Sequence, residues 1–220
     1  MAEHSPDGAV LHRAAGSRHR GGPVVLLLHG GDENPNTKQV WPCWPPVLRM
    51  WAIVPWLTRG PARPAVHLLR DVAQGWNGGA GPIRDARWAI AVLRQRYPHR
   101  PIVLVGHSMG GRVGAAVVGE QDVVGFVGLA PWLPAGEPVA DLSGRQLVLI
   151  QGSVDRSVPA DQTRAWVDRA SRQCTESRLT TSTMRYLEIP GGGHMMLRSL
   201  PLWHRLAARG VDLVVTARQL

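Results

Sequence analysis

The sequence predicts an α/β fold: a mostly parallel sheet of about six to eight strands with helices on both faces. Short apolar runs of strand length alternate with longer segments of helical character along the whole chain. The run Val24-Val-Leu-Leu-Leu28 is apolar at every position, as a strand covered on both faces must be. No linker, repeat or low-complexity tract interrupts the alternation, so residues 9–220 are expected to form one domain behind a flexible N-terminus, 1–8.

In order, 9–13 reads as a first strand and 24–28 as a second. Residues 46–58 hold a helix that Pro55, lacking an N–H and crowding the preceding turn, should break or end. Residues 65–69 form the next strand, and 83–96 a helix with Pro98 beyond its end. Strand 102–105 leads into helix 109–118, followed by strands at 123–129 and 146–150. Pro159, whose fixed φ suits a first helical position, opens a helix to about 172. A strand at 184–189 and a helix at 197–209 close the chain.

With 220 residues, 44% of them hydrophobic, the chain can bury a core without disulfides or metals. Cys43 and Cys174 lack the spacing of a ligand pair and are expected to be free thiols. No apolar run approaches the roughly eighteen residues of a membrane span. The first residues lack the cationic-then-apolar layout of a secretory signal, so a cytoplasmic location is expected, without membrane insertion. The net charge of +9 comes almost wholly from arginines spread along the chain, Lys38 being the sole lysine. Without a basic helix or an aromatic stacking strip, that charge does not point to a nucleic-acid partner.

The chemistry is carried by Gly106-His-Ser-Met-Gly110, which falls directly after a predicted strand and directly before a predicted helix. A serine on so sharp a strand-to-helix turn takes a strained backbone conformation, and the residues two positions away must be small. Ser108 is therefore the candidate nucleophile. It needs a base, and of nine histidines most have ordinary places. His4, His12 and His19 lie in the polar N-terminal stretch, His67 falls in a strand, His99 in a Pro-flanked loop and His204 on the last helix. His194 instead follows the last strand in Pro190-Gly-Gly-Gly-His194, at the carboxyl end of the sheet where such folds place their sites. The acid that orients it should follow a strand between the two, as Asp155 does; Asp141 and Asp161 are poorer placed.

A tetrahedral oxyanion needs hydrogen-bond donors. One should be the N–H of Met109, the residue after the nucleophile. The other should come from Leu28-His-Gly-Gly-Asp32, with Gly31 the candidate and Asp32 the alternative, while His29 braces the loop. The chain order Ser108, Asp155, His194 is that of the α/β-hydrolases.

On these residues the chain resembles the α/β-hydrolase superfamily over nearly its whole length. It looks especially like compact bacterial members of the serine-aminopeptidase-like and dienelactone-hydrolase-like kinds, through Arg70-Asp-Val-Ala-Gln-Gly-Trp-Asn77, Leu129-Ala-Pro-Trp-Leu-Pro134 and the 190–194 loop. The resemblance implies the α/β-hydrolase fold and no metal or cofactor. Dienelactone hydrolases use a cysteine nucleophile, so Ser108 counts against that activity. Two departures matter. The short N-terminal part leaves the first strands of the usual sheet reduced or absent. The Pro-rich connection 130–144 leaves no room for a cap domain. Roofing then falls to the loop 37–46, where Trp41 and Trp44, with Trp76 and Trp132, are candidate walls of an apolar acyl pocket. Arg156, beside the acid, is expected at the surface, with an anionic substrate group as its alternative partner.

The expected activity is hydrolysis of a carboxylic ester or thioester through an acyl-enzyme on Ser108, with a small-molecule acyl substrate as the partner. The alternatives are a perhydrolase or haloperoxidase-like reaction, an amidase on the same triad, and a non-catalytic binding protein. Oligomeric state is left open.

Overall fold

In the computed structural model, which describes residues 2–15, 21–176 and 182–217, the fully apolar run Val24–Leu28 is β3, and all five of its residues are buried. It lies between β4 (Ala65–Arg70) and β5 (Ile102–His107), parallel to both. Beyond β5 the sheet continues in parallel through β6 (Val123–Leu129), β7 (Gln146–Gly152) and β8 (Thr183–Ile189). On the other side of β4 come β2 (Val10–Ala15), antiparallel to β4, and β1 (Ala2–His4), antiparallel to β2, giving eight strands in the order β1-β2-β4-β3-β5-β6-β7-β8. The first strands are thus present, not reduced. Residues 2–4, expected within a flexible terminus, pair in register with Val10–His12, which satisfies the backbone groups on the side facing β2; residue 1 lies outside the described residues.

Period-two alternation sorts the sheet residues between two cores. Val25 and Leu27 face α1 (Pro45–Arg59) and α5 (Leu200–Thr216), while Val24, Leu26 and Leu28 face α2 (Ala80–Arg96), α3 (Met109–Val117) and α4 (Ala160–Glu176). Three helices depart from expectation for a local reason. Helix α1 runs through Pro55, because Ile53, Val54 and Leu57 are buried against the core on either side of the missing N–H. Helix α2 starts at Ala80, after left-handed residues Asn77, Gly78 and Gly79 turn the chain. Helix α5 continues past Gly210, where the missing side chain lets the helix approach Val127 of β6; a Cβ there would sit 3.0 Å from its nearest methyl.

No α-helix interrupts the stretch between β6 and β7, so among the described residues no cap domain is inserted there over the carboxyl end of the sheet. Cys43 and Cys174 are free. Among the described residues no helix is long and apolar enough to cross a membrane.

One core residue makes the fold sensitive to acid. His67 of β4 is fully buried, with Nε2 3.0 Å from the Tyr97 hydroxyl and Nδ1 without a partner among the described residues. Burial first, then the charges of Arg96, Arg13 and Arg100, lower its pKa to about 4. The unfolded chain therefore takes up this proton below pH ~6.5 while the folded chain does not, so stability falls with pH through the window from ~6.5 to ~4. Relative to His67→Phe, the wild type is expected to lose up to about 1.4 kcal/mol per pH unit in that window. Urea denaturation of both proteins at pH 7 and pH 5 reads this difference, and parallel pH dependences would contradict it.

Candidate active site

Ser108 stands between β5 and α3 with φ 52° and ψ −117°, a conformation that L-residues avoid. Its backbone is held on both sides: the N–H donates to the Leu129 carbonyl at 3.1 Å, and its own carbonyl accepts from Gly111, Arg112 and Trp132. The glycines of the motif are required by contact. A Cβ on Gly106 would lie 2.2 Å from the Gly110 carbonyl oxygen, and one on Gly110 would lie 2.2 Å from that of Leu28.

The loop after β8 brings His194 to this turn. Its Nε2 is 2.9 Å from Ser108 Oγ and its Nδ1 is 2.8 Å from Asp155 Oδ2. Asp155, in the loop after β7, accepts three further hydrogen bonds: at Oδ1 from the N–H groups of Ser157 (2.9 Å) and Val158 (2.8 Å), and at Oδ2 from Gln151 Nε2 (2.9 Å). Burial works to raise its pKa, but the His194 hydrogen bond, followed by those from Val158 and Ser157, outweighs burial and holds the carboxyl below its usual range. A carboxylate is an acceptor only, so the Nδ1 atom of His194 must carry the proton and Nε2 is free to accept from the serine hydroxyl. The three residues that the sequence singled out from separate strand ends are thus in one hydrogen-bonded chain.

The close approach of the 190–194 loop to the end of β7 requires a glycine at position 152. The Gly192 carbonyl accepts from Val154 N–H at 3.0 Å, and a Cβ on Gly152 would lie 2.2 Å from that oxygen. His107, between the glycine and the serine of the motif, adds a second hold. Its Nε2 donates to the His194 carbonyl at 3.0 Å, and the two rings pack 5.1 Å apart. Burial, then the neighbouring His194 and Arg49, lower the His107 pKa to about 3, so this ring is neutral.

On the opposite side, the loop after β3 is fixed by His29. Its Nδ1 donates to the Gly30 carbonyl at 2.6 Å and its Nε2 accepts from the Asp71 N–H at 3.1 Å. Both nitrogens are occupied in the neutral form, and burial is the main reason that the pKa falls to about 4. The 3.5 Å approach of the Asp71 carboxyl is therefore not an ion pair; burial, then Asp85, push that carboxyl well above the usual range. The Asp32 N–H donates to the Gln74 carbonyl at 2.8 Å, which removes it as an oxyanion donor, whereas the N–H groups of Gly31 and Met109 have no partner among the described residues. Gly31 has no room for a side chain, since a Cβ would lie 2.5 Å from Gln74 O and from the Met109 thioether.

Gly30, Gly31, Ser108 and His194 line an open cleft of about 300 Å³. The tryptophan walls are largely elsewhere. Only Trp132 of the four reaches the cleft. Trp41 is 53% exposed, and Trp44 is buried with its ring edge against His29 at 5.5 Å. Trp76 stands edge-on to Trp132 at 6.0 Å, and the Arg112 guanidinium lies over both rings, 4.0 and 4.4 Å from their centroids. Of the 37–46 loop, Pro46 alone lines the cleft, so that loop is no roof. Arg156 is exposed and outside the cleft. Among the remaining histidines, His4 and His12 sit in β1 and β2, and His19 lies outside the described residues.

Sequence reasoning missed Gln151, His107 and Arg49. Gln151 is fully buried between Asp155, the Val158 carbonyl and the Thr163 hydroxyl, and a polar side chain continuing an apolar strand was its only signal. Arg49 lies on α1 within a cleft that only the tertiary fold creates.

Fold and site together define a protein of the α/β-hydrolase fold with a sharp strand-to-helix elbow at Ser108. The family model described as serine aminopeptidase, S33, matches residues 74–159, which takes in the elbow and Asp155 and stops before His194. Among solved structures, a putative α/β hydrolase of unknown function from Agrobacterium tumefaciens is similar over 98% of this chain and 96% of its own, at 15% identity and TM-score 0.76. An α/β serine hydrolase without a lid from Xanthomonas campestris matches 96% of this chain and 92% of its own, at 16% identity and TM-score 0.68. An esterase from Pyrococcus furiosus matches 96% and 89%, at 14% identity and TM-score 0.68. At these identities the likeness is one of fold. No curated protein sequence matches the chain.

The Trp132 wall depends on a buried ion pair, Arg112 Nη2 to Glu137 Oε2 at 2.6 Å, with side chains 16% and 8% exposed. Removing one member of such a pair strands the other charge, so Arg112→Met is expected to lower stability by about 3 kcal/mol. The double variant Arg112→Met/Glu137→Gln should recover part of it. Urea denaturation checks both, and a neutral Arg112→Met would contradict the assignment.

Proposed function

We propose that the protein is a serine hydrolase that cleaves a carboxylic ester or thioester through an acyl-enzyme on Ser108. The observation that carries this reading is the hydrogen-bonded chain from Ser108 Oγ through both ring nitrogens of His194 to Asp155. In the proposed reaction Ser108 Oγ attacks the acyl carbon while His194 Nε2 takes the hydroxyl proton. The tetrahedral oxygen accepts hydrogen bonds from the N–H groups of Gly31 and Met109. His194 then returns the proton to the leaving alcohol or thiol. In the second half the same nitrogen removes a proton from water, whose oxygen attacks the acyl carbon, and then returns that proton to Ser108 Oγ as the acyl–serine bond breaks, releasing the acid and the free serine hydroxyl.

Asp155 has the role of holding the ring with its proton on Nδ1 and stabilising the imidazolium that forms. Its four hydrogen bonds keep the carboxylate ionised and aimed. The open, uncapped cleft suits short acyl groups presented from solution, and the esterase and serine hydrolase names among the structural relatives favour the same reaction class.

Turnover of p-nitrophenyl acetate and butyrate and of a short acyl thioester tests the proposal. Ser108→Ala is expected to lower kcat by at least about a thousandfold and Asp155→Asn by about a thousandfold or more. Activity retained by Ser108→Ala would overturn it.

A further inference from the structure

The cleft beside Ser108 contains one arginine, and its charge is unanswered. Arg49, on the second turn of α1, lines the cleft with Ser108 and His194 and is half-buried. Elsewhere among the described residues the half-buried arginines are engaged. Arg112 pairs with Glu137, Arg70 donates to the Val40 carbonyl, Arg100 to the Gly22 and Pro23 carbonyls, and Arg145 to those of Val118 and Gly119. Arg49 has no hydrogen bond or ion pair among the described residues. A guanidinium partly withdrawn from water without a partner is a standing cost, and a cleft that opens on solvent is where a ligand can relieve it. Burial lowers its pKa with no neighbouring carboxylate offsetting the effect, and its charge is felt by His107 at the elbow.

We infer that Arg49 binds a carboxylate carried by the substrate in addition to the acyl bond that is cleaved. This deepens the serine hydrolase reading and rests on it for the cleavage, though not for the binding. A single planar guanidinium matches a carboxylate with two parallel N–H···O bonds, and the cleft offers no second arginine or lysine for a more highly charged group. Asp32 and Glu33 line the same cleft, but both are exposed, and the Asp32 carboxylate already accepts from the Asn36 side chain. Their screened charges disfavour an anion on their side and leave Arg49 as its seat.

Binding is read first because it does not depend on turnover. Glutarate and 4-hydroxybenzoate, representing a carboxylate on the acyl side and on the alcohol side, are titrated by calorimetry against wild type, Arg49→Met and Arg49→Lys, each first checked by circular dichroism to be folded. At least one ligand is expected to bind wild type, to weaken by roughly tenfold or more in Arg49→Met, and to weaken less in Arg49→Lys, which keeps the charge but not the fork. Absence of binding to wild type, or equal affinity in Arg49→Met, overturns the inference.

The same two arms are then read in kcat/KM, comparing p-nitrophenyl hemiglutarate with its methyl ester and 4-acetoxybenzoate with its methyl ester. The ratio of anionic to neutral ester should fall roughly tenfold or more in Arg49→Met for the arm that binds; an unchanged ratio again overturns the inference. Arg49-dependent binding without hydrolysis of any of these esters would instead count against the hydrolase reading and leave the carboxylate site standing.

Discussion

Everything in the site depends on the close approach of three backbone segments around Ser108. The serine can keep its left-handed conformation only because the end of β5, the first turn of α3 and the end of β3 touch through main-chain atoms, with Gly106 and Gly110 at the contacts. A side chain at either glycine would overlap a carbonyl oxygen by more than any local adjustment could absorb. That same approach ties Ser108 to the loop after β3, since Gly110 packs on Leu28 and His29, and Met109 fills the space that Gly31 leaves. The strain is therefore held by neighbours that are themselves parts of the site.

Around this contact the buried polar groups are arranged in neutral or fully satisfied form. His29 uses both ring nitrogens on backbone groups, and His107 donates to the backbone of the very residue proposed as the base. Asp155 retains its charge in a buried setting because four donors surround it. The Arg112 guanidinium is met by Glu137 and the two indole rings. Arg49 departs from this pattern, and the departure is what gives it meaning in the cleft.

The fold was legible in the sequence wherever burial is two-sided. The apolar runs at 24–28 and 123–129 match β3 and β6 residue for residue, because a strand covered on both faces has no polar position to blur its ends. Strand β1 was not legible, since Ala-Glu-His carries no apolar pattern and gains its stability from pairing with β2. Pro55 was misleading for a related reason: its intrinsic effect on a helix is local, and packing against the core overrides it. At the site, residues bound to a strand end by a sharp turn could be read from order and spacing, as with Ser108, Asp155 and His194. Gln151, Arg49 and the true positions of the tryptophans could not, because their roles come from which helices and loops meet in space. Trp44 and Trp76 illustrate this, one edge-on to His29 and the other edge-on to Trp132.

The central claim, that Ser108 is a nucleophile activated by His194, is tested most directly by covalent capture. Treating the protein with a fluorophosphonate and locating the adduct by peptide mass spectrometry should place a single phosphonyl group on Ser108, with no adduct in Ser108→Ala. An adduct on another residue, or labelling that survives the substitution, would contradict the account.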